Sequence, residues 1–154
     1  QRALGNRSLL FDPRVKNGRD IVNQIKLRES FRPFAGTVLL EDANEWFDMR
    51  GLSDCSYMQY AVNVRKSGID AVVHVDNTCR VQTVTRRQNK HFYNLIKAFK
   101  NKTKVPILLN TSFNLGGEPL VETFDDAIRT LKKSDINYLY LPEIKSLITA
   151  HKAY

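Results

Sequence analysis

The basic side chains of this sequence are not spread as a solvated surface would require. Lys26, Arg28 and Arg32 crowd into IKLRESFRPFA, Arg2 and Arg7 stand in the opening stretch, and Arg80 opens a β-branched run just after a turn. Each lies among apolar neighbours, so several must be either paired or aimed into a cavity. Arginine grips phosphate or carboxylate through two bonds of a planar fork, and lysine adds a compact charge. Three or four such groups converging would hold a multiply charged anion. The alternative is structural pairing, with Glu29, Asp12 and Asp76 as partners. Glu29 is also placed to orient a neighbouring arginine.

A second set of polar groups follows the apolar run Val105, Ile107, Leu108 and Leu109, which reads as a strand buried on both faces. Asn110, Thr111, Ser112 and Asn114 come next, and Gly116-Gly117 then lets the backbone turn back. The carboxyl end of a buried strand is where ligands are usually gripped, because donors converge there on a rigid support. The same residue types also form turns that cap themselves.

Other chemistries find little support. Cys55 and Cys79 have neither CxxC nor Cys/His metal spacing and read as free structural thiols. His74, between Val73 and Val75, reads as a satisfied buried histidine; His91 and His151 read as surface residues, so no metal site built by the protein is expected. Ser112 lacks a GxSxG elbow. With no GxxxxGK[ST] and no GxGxxG, nucleotide binding needs another kind of pocket.

The elements that must position these groups follow from periodicity. Ile21, Val22 and Ile25 share one face of a helix that starts near Gly18 and stops around Arg28 to Ser30, before Pro33. Before it, the opening stretch reads as an irregular lead-in. Gly36 to Leu40 reads as a strand and Glu41 to Asp48 as a short helix with Trp46 in the core. Alternation predicts a half-buried strand from Tyr57 to Val64, and two β-branched runs predict strands at Ala71 to Val75 and Arg80 to Thr85. Phe92, Leu95, Ile96 and Phe99 make Gln88 to Asn101 the clearest helix. Thr123 caps another, whose stripe is Phe124, Ala127, Ile128 and Leu131 and whose ends suit the dipole. Asn137 to Leu141 closes the series as a strand, with a helical tail around Glu143 to His151. Irregular alternation of strands and helices predicts an α/β (α+β) fold on a mixed sheet.

At 154 residues and 42% hydrophobic content, the chain supports a single domain over 1–154. Its formal charge of +8, from 24 Lys and Arg against 16 Asp and Glu, favours anionic partners. The Lys-rich stretches at Lys97 to Lys104 and Lys132-Lys133 read as wet helix faces and ends. No apolar run approaches the roughly 20 residues of a spanning helix, and no signal pattern opens the chain. A cytoplasmic location without membrane contact is expected. The start at Gln1, running straight into a motif, suggests a portion of something longer.

RALGNRSLLFDPR, NQIKLRESFRPFA, HVDNTCRVQTV and PILLNTSFNLGGEPLVET, in that order and spacing, resemble the carboxyl-terminal domain of the O-carbamoyltransferases, the nodulation-factor and antibiotic carbamoylating enzymes. The resemblance runs from Arg2 to about Leu141. It implies a YrdC-like fold, a twisted mixed sheet with flanking helices around a basic cavity. It further implies that the domain binds carbamoyl phosphate and ATP, with Mg²⁺ accompanying the nucleotide, and forms carbamoyl-adenylate. An amino-terminal metal-dependent transferase domain of the same longer chain, absent here, would then transfer the carbamoyl group to an acceptor hydroxyl.

Carried onto this sequence, the resemblance implies that Arg2, Lys26, Arg32, Arg80, Asn110 and Ser112 hold carbamoyl phosphate and its carbamate, with Lys26, Arg32, Arg80 and Ser112 acting in catalysis. Arg7, Arg28, Thr111 and Asn114 would complete the pocket or face the ATP phosphates. Three positions depart from the family pattern: Gly36 and Asp70 stand where proline is usual, and Cys79 where a small alanine is common. None removes a candidate charge. Alanine at Lys26 or Arg80 is expected to abolish carbamoyl phosphate binding with little loss of fold. Two rivals remain, an anion or nucleotide module without turnover and an RNA-binding domain. The second is weakened by the lack of RNP, GXXG or aromatic stacking signatures.

Overall fold

The computed structural model describes residues 3–150, so Arg2 and His151 lie outside the described residues. Ile107–Ser112 (β5) is an interior strand flanked on both sides, and its first four residues are buried. Antiparallel neighbours are Ser8–Phe11 (β1) and Ala35–Leu39 (β2); β2 then runs parallel to Thr78–Val84 (β4), whose outer edge pairs antiparallel with Ala61–Asn63 (β3). The result is a five-stranded mixed sheet in the order β1-β5-β2-β4-β3. The mixed α/β architecture read from the sequence is the one observed.

Strand alternation divides the apolar residues between two faces. On one, Val38, Val81, Ile107 and Leu109 meet Val22 of Gly18–Ile25 (α1), a 3-10 turn at Asp70–Val72, and Phe47 and Trp46, the latter at the end of Ala43–Trp46 (α2). On the other, Leu39, Val84 and Leu108 pack under Phe92 and Ile96 of Lys90–Thr103 (α3). Each such aliphatic side chain contributes about 1.5–3 kcal/mol when withdrawn from water. A third cluster joins Phe113 and Val121 to Ala127 and Leu131 of Phe124–Lys133 (α4) and to Leu139 of the separate hairpin Tyr138–Leu141 (β6) and Ser146–Thr149 (β7).

Local signals placed α3 and α4 well. Asn89 caps α3 by accepting from the Phe92 amide. Thr123 and Asp126 form a reciprocal capping box on α4, and the Thr123 backbone and hydroxyl bonds, in that order, draw the Asp126 carboxyl down to about 2. Leu95, however, stands exposed beside the buried stripe of α3.

Four expectations fail, each for a physical reason. The irregular lead-in contains β1, because pairing with distant β5 supplies what its mixed pattern does not. The strand from Tyr57 to Val64 shrinks to Ala61–Asn63, because Met58 adopts a left-handed φ of 58°. Ala71 to Val75 is no strand: Ala71 and Val72 are buried in the 3-10 turn, and Val75 is fully exposed. The tail is β7 rather than a helix, because a turn with Lys145 at φ 52° folds it back on β6.

Gly36 and Cys79, two of the positions at which the resemblance implies other residues, lie against each other. A Cβ at Gly36 would stand 3.1 Å from the Cys79 Sγ, so the thiol occupies space that a larger residue at Gly36 would contest. Both cysteines are free and buried, and burial pushes the Cys79 thiol up to about 12. Among the described residues no helix is long and apolar enough to cross a membrane.

Candidate functional site

Helix α1 stops at Ile25, three residues earlier than Arg28, the first of the stops its pattern predicts, and the chain beyond it is held open by one side chain. Asn23 is wholly buried; its amide nitrogen donates to the carbonyls of Ser30 and Arg32, both at 3.0 Å, and its Oδ1 accepts from Arg28 Nε at 2.8 Å. Leu27 between them takes a left-handed φ of 53°, an uncommon state for a branched residue. Arg28 then lies over the Phe34 ring, 4.7 Å from its centroid, and Arg32 Nε bonds Glu29 at 2.8 Å. Glu29 thus pairs with a candidate arginine, as both the structural-bridge reading and the orienting reading expect. Asp12 pairs instead with Arg14, and Asp76 accepts from Thr78, so neither neutralises a candidate arginine.

Lys26, the residue that caps α1, is 1% exposed and reaches across to the end of β5. Its Nζ donates to the carbonyls of Ser112 at 2.5 Å and Asn114 at 2.7 Å, and to Asn114 Oδ1 at 3.2 Å; the Ser112 hydroxyl, 3.5 Å away, donates to the same Oδ1 at 2.6 Å. The glycine pair makes this approach possible. Gly116 N–H donates to the Lys26 carbonyl at 2.6 Å, and a Cβ on Gly116 would come within 2.4 Å of the Leu27 carbonyl oxygen. Gly117 follows at φ 74°, which completes the reversal. Two distant stretches, both singled out for their chemistry, therefore meet backbone to backbone.

Between them opens a cavity of about 710 Å³ lined by Lys26, Arg28, Arg32, Ser112, Asn114 and the glycine pair, with Glu29 as the one carboxylate in its lining. Arg28 is held below the ordinary arginine range, first by burial and then by the charge of Arg32, which Glu29 partly offsets, and of Arg80. Gathering these cations therefore opposes itself, and an anion would relieve it.

Arg80 is exposed on β4. It shares a register row with Ala35 and Asn110, so Arg80, Asn110 and Ser112 belong to one face of the sheet. Asn110 is buried, and its Nδ2 donates to Thr37 Oγ1 and Gln82 Oε1 inside the sheet. Neither Arg80 nor Asn110 is in the cavity lining, and Thr111 points to the opposite face of the sheet. Arg7 is strapped elsewhere, its Nη1 donating to the Val121 carbonyl at 3.0 Å. Arg2 lies outside the described residues. His74 is half-buried, with Nδ1 3.0 Å from the Thr78 hydroxyl but Nε2 buried without a partner among the described residues, so it is not the satisfied buried histidine expected from the sequence.

Sequence reasoning missed Asn23, Thr37 and Gln82, which organise the site from beneath. Their signal is a polar residue inside an otherwise apolar pattern, as Gln82 in RVQTV and Thr37 in GTVLL.

Fold and cavity together define a mixed α/β domain with a cavity lined by cations. The sequence matches the family described as Carbamoyltransferase C-terminus over residues 1–147, and the chain belongs to that family. It is 46% identical over 143 residues to Nodulation protein NolO of Bradyrhizobium diazoefficiens, covering 90% of this chain and 26% of that protein. Nodulation protein NolNO of Sinorhizobium fredii is 48% identical over 143 residues, with 90% and 21% covered. The 3'-hydroxymethylcephem-O-carbamoyltransferase of Amycolatopsis lactamdurans is 41% identical over 128 residues, with 82% and 24% covered. The chain thus spans about a quarter of the length of these relatives.

Proposed function

We propose that this domain binds carbamoyl phosphate and ATP and serves the activation half-reaction of an O-carbamoyltransferase. The observation that carries the reading is the convergence of Lys26, Arg28 and Arg32 on one cavity, with Arg80 close enough to repel Arg28. Convergence of unlike distant segments on one anion-sized space is what a structural pairing would not need.

Carbamoyl phosphate loses phosphate to water, giving carbamate. A carbamate oxygen then forms a bond to the α-phosphorus of ATP as the bond to the β-phosphate oxygen breaks, yielding carbamoyl-adenylate and pyrophosphate. Both reactants are anions, so the site must neutralise and align rather than abstract a proton. Arg32 supplies charge in the cavity lining, and Arg80, outside that lining, adds charge that is felt at Arg28. Lys26 fixes the carbonyls of Ser112 and Asn114 and places a positive charge behind the Ser112 hydroxyl. Arg28, its Nε taken by Asn23, has its two terminal nitrogens left to fork a phosphate. Arg2 is proposed for carbamoyl phosphate on the resemblance alone, and Arg7 and Thr111 would join only through the nucleotide's further extent.

Mg²⁺ would neutralise nucleotide phosphates. The one carboxylate lining the cavity is bonded to Arg32, so the ion would be held by the nucleotide and not by a protein cage. Transfer to an acceptor hydroxyl would belong to the amino-terminal metal-dependent transferase domain of a longer chain.

Pyrophosphate release tests the reading. Release from ATP that depends on carbamoyl phosphate, and that falls in Arg32→Ala, is the expected result. Binding of carbamoyl phosphate with no pyrophosphate under any condition would make the domain an anion module without turnover.

A further inference from the structure

Thr37 of β2, Gln82 of β4 and Asn110 of β5 form a hydrogen-bonded triangle within the face that carries α3, each 3% exposed or less. Gln82 Nε2 donates to the Ser56 carbonyl at 2.9 Å. A carbonyl only accepts, so the Gln82 nitrogen must face Ser56 and its Oε1 must face the triangle. There Oε1 accepts from the Thr37 hydroxyl at 2.8 Å and from Asn110 Nδ2 at 2.9 Å, while Nδ2 also donates to Thr37 Oγ1 at 3.0 Å.

Turning the Asn110 amide over would press two carbonyl oxygens together at 2.9 Å. Its orientation is therefore dictated by the Ser56 carbonyl through Gln82. Nδ2 is thereby turned into the triangle, which leaves Oδ1 as the acceptor that Asn110 offers away from it. That oxygen takes no hydrogen bond among the described residues, and it is not among their sealed, unpartnered atoms. It sits two residues before Ser112 on the same face of β5, and Ser112 lines the cavity.

We propose that Gln82 is a specificity-determining positioning residue: by fixing Asn110 with Oδ1 toward the ligand, it makes a site rich in cations select an acyl phosphate that carries an N–H donor. The carbamoyl amino group satisfies Oδ1. A methyl group in the same place leaves it dry and unpaired, which is how a polar site rejects an isostere. This inference rests on the reading of the cavity as a carbamoyl phosphate site.

Acetyl phosphate is the probe, since it matches carbamoyl phosphate in charge and shape and replaces the amino group by methyl. The unmodified chain should bind carbamoyl phosphate about 10-fold to 100-fold more tightly than acetyl phosphate. In Gln82→Met the amide of Asn110 is free to turn, so discrimination should fall toward unity while acetyl phosphate binding is kept, a pattern that general loss of fold does not produce. The side-chain amide protons of Asn110 and Gln82 should also exchange slowly in the unmodified chain, a readout that needs no variant. Equal binding of both acyl phosphates by the unmodified chain overturns this inference and leaves the cavity's reading standing. Binding of neither by the folded chain overturns both. A folded Gln82→Met with undiminished discrimination overturns the role of Gln82.

Discussion

Helix α3 and the loop from Lys26 to Arg32 are both rich in basic residues, yet they hold charge in opposite ways. On α3, Lys97 and Lys102 stand in solvent and Lys100 reaches the Asp42 carboxylate at 2.7 Å. In the loop, Lys26 is buried against oxygens of Ser112 and Asn114, and Arg28 lies over a ring under repulsion from Arg32 and Arg80. Solvated lysines on a helix are independent of one another and of the fold. The loop cations each have a partner in the fold, Lys26 the end of β5, Arg28 the Asn23 side chain and Arg32 the Glu29 carboxylate, so their geometry is set before any ligand arrives. Convergence, rather than count, separates an anion site from a basic surface.

The sharpest way to break that contrast is Lys26→Ala. Two carbonyls would lose their ammonium, and the join between α1 and β5 would loosen, with a loss of about 2–4 kcal/mol of stability. Denaturant unfolding measures it. This corrects the expectation that Lys26 could be removed with little loss of fold. The correction follows from its 1% exposure, which no spacing in the sequence declares.

Arg80→Ala is the complementary case. Its side chain is exposed, so the melting temperature should stay within a degree or two while carbamoyl phosphate affinity falls roughly 10-fold to 100-fold. Titration calorimetry beside a thermal melt separates the two effects.

A smaller effect concerns α4, far from the cavity. The Asp126 carboxyl is drawn from 3.8 to about 2 in the folded chain by the Thr123 backbone and side-chain bonds. Its contribution is therefore complete above about pH 4 and is lost as the pH falls through about 2. Asp126→Asn should flatten the stability profile between those values and leave ligand binding untouched, as thermal melts across that range would record.

Lys102→Ala, on the wet face of α3, is the smallest change: within about 0.5 kcal/mol in stability and no change in affinity. A measurable loss of binding there would mean that long-range charge, not the cavity, attracts the anion.

What the sequence made legible follows the same division between local and distant causes. Helices α3 and α4 announce themselves through their stripes and caps, and β5 through its apolar run. Lys26, Arg28, Arg32, Ser112 and Asn114 were also legible as a set, since residue types of one chemistry recur in two short motifs, and the cavity brings those five together. Strand β1 and hairpin β6–β7 were read poorly at β1 and β7, because partners distant in sequence or a single left-handed residue decide them. The roles of Asn23 and Gln82, marked only as polar residues inside apolar patterns, were missed for a related reason. A buried amide reveals its task only when the carbonyls it serves are in view.

The most direct test of the central claim is calorimetric titration of the chain with carbamoyl phosphate, with inorganic phosphate and bicarbonate as controls, with and without an ATP analogue and Mg²⁺. The account predicts saturable binding specific to carbamoyl phosphate that weakens as salt rises. Silence toward every ligand from a demonstrably folded sample, or binding no tighter than that of inorganic phosphate, would contradict it.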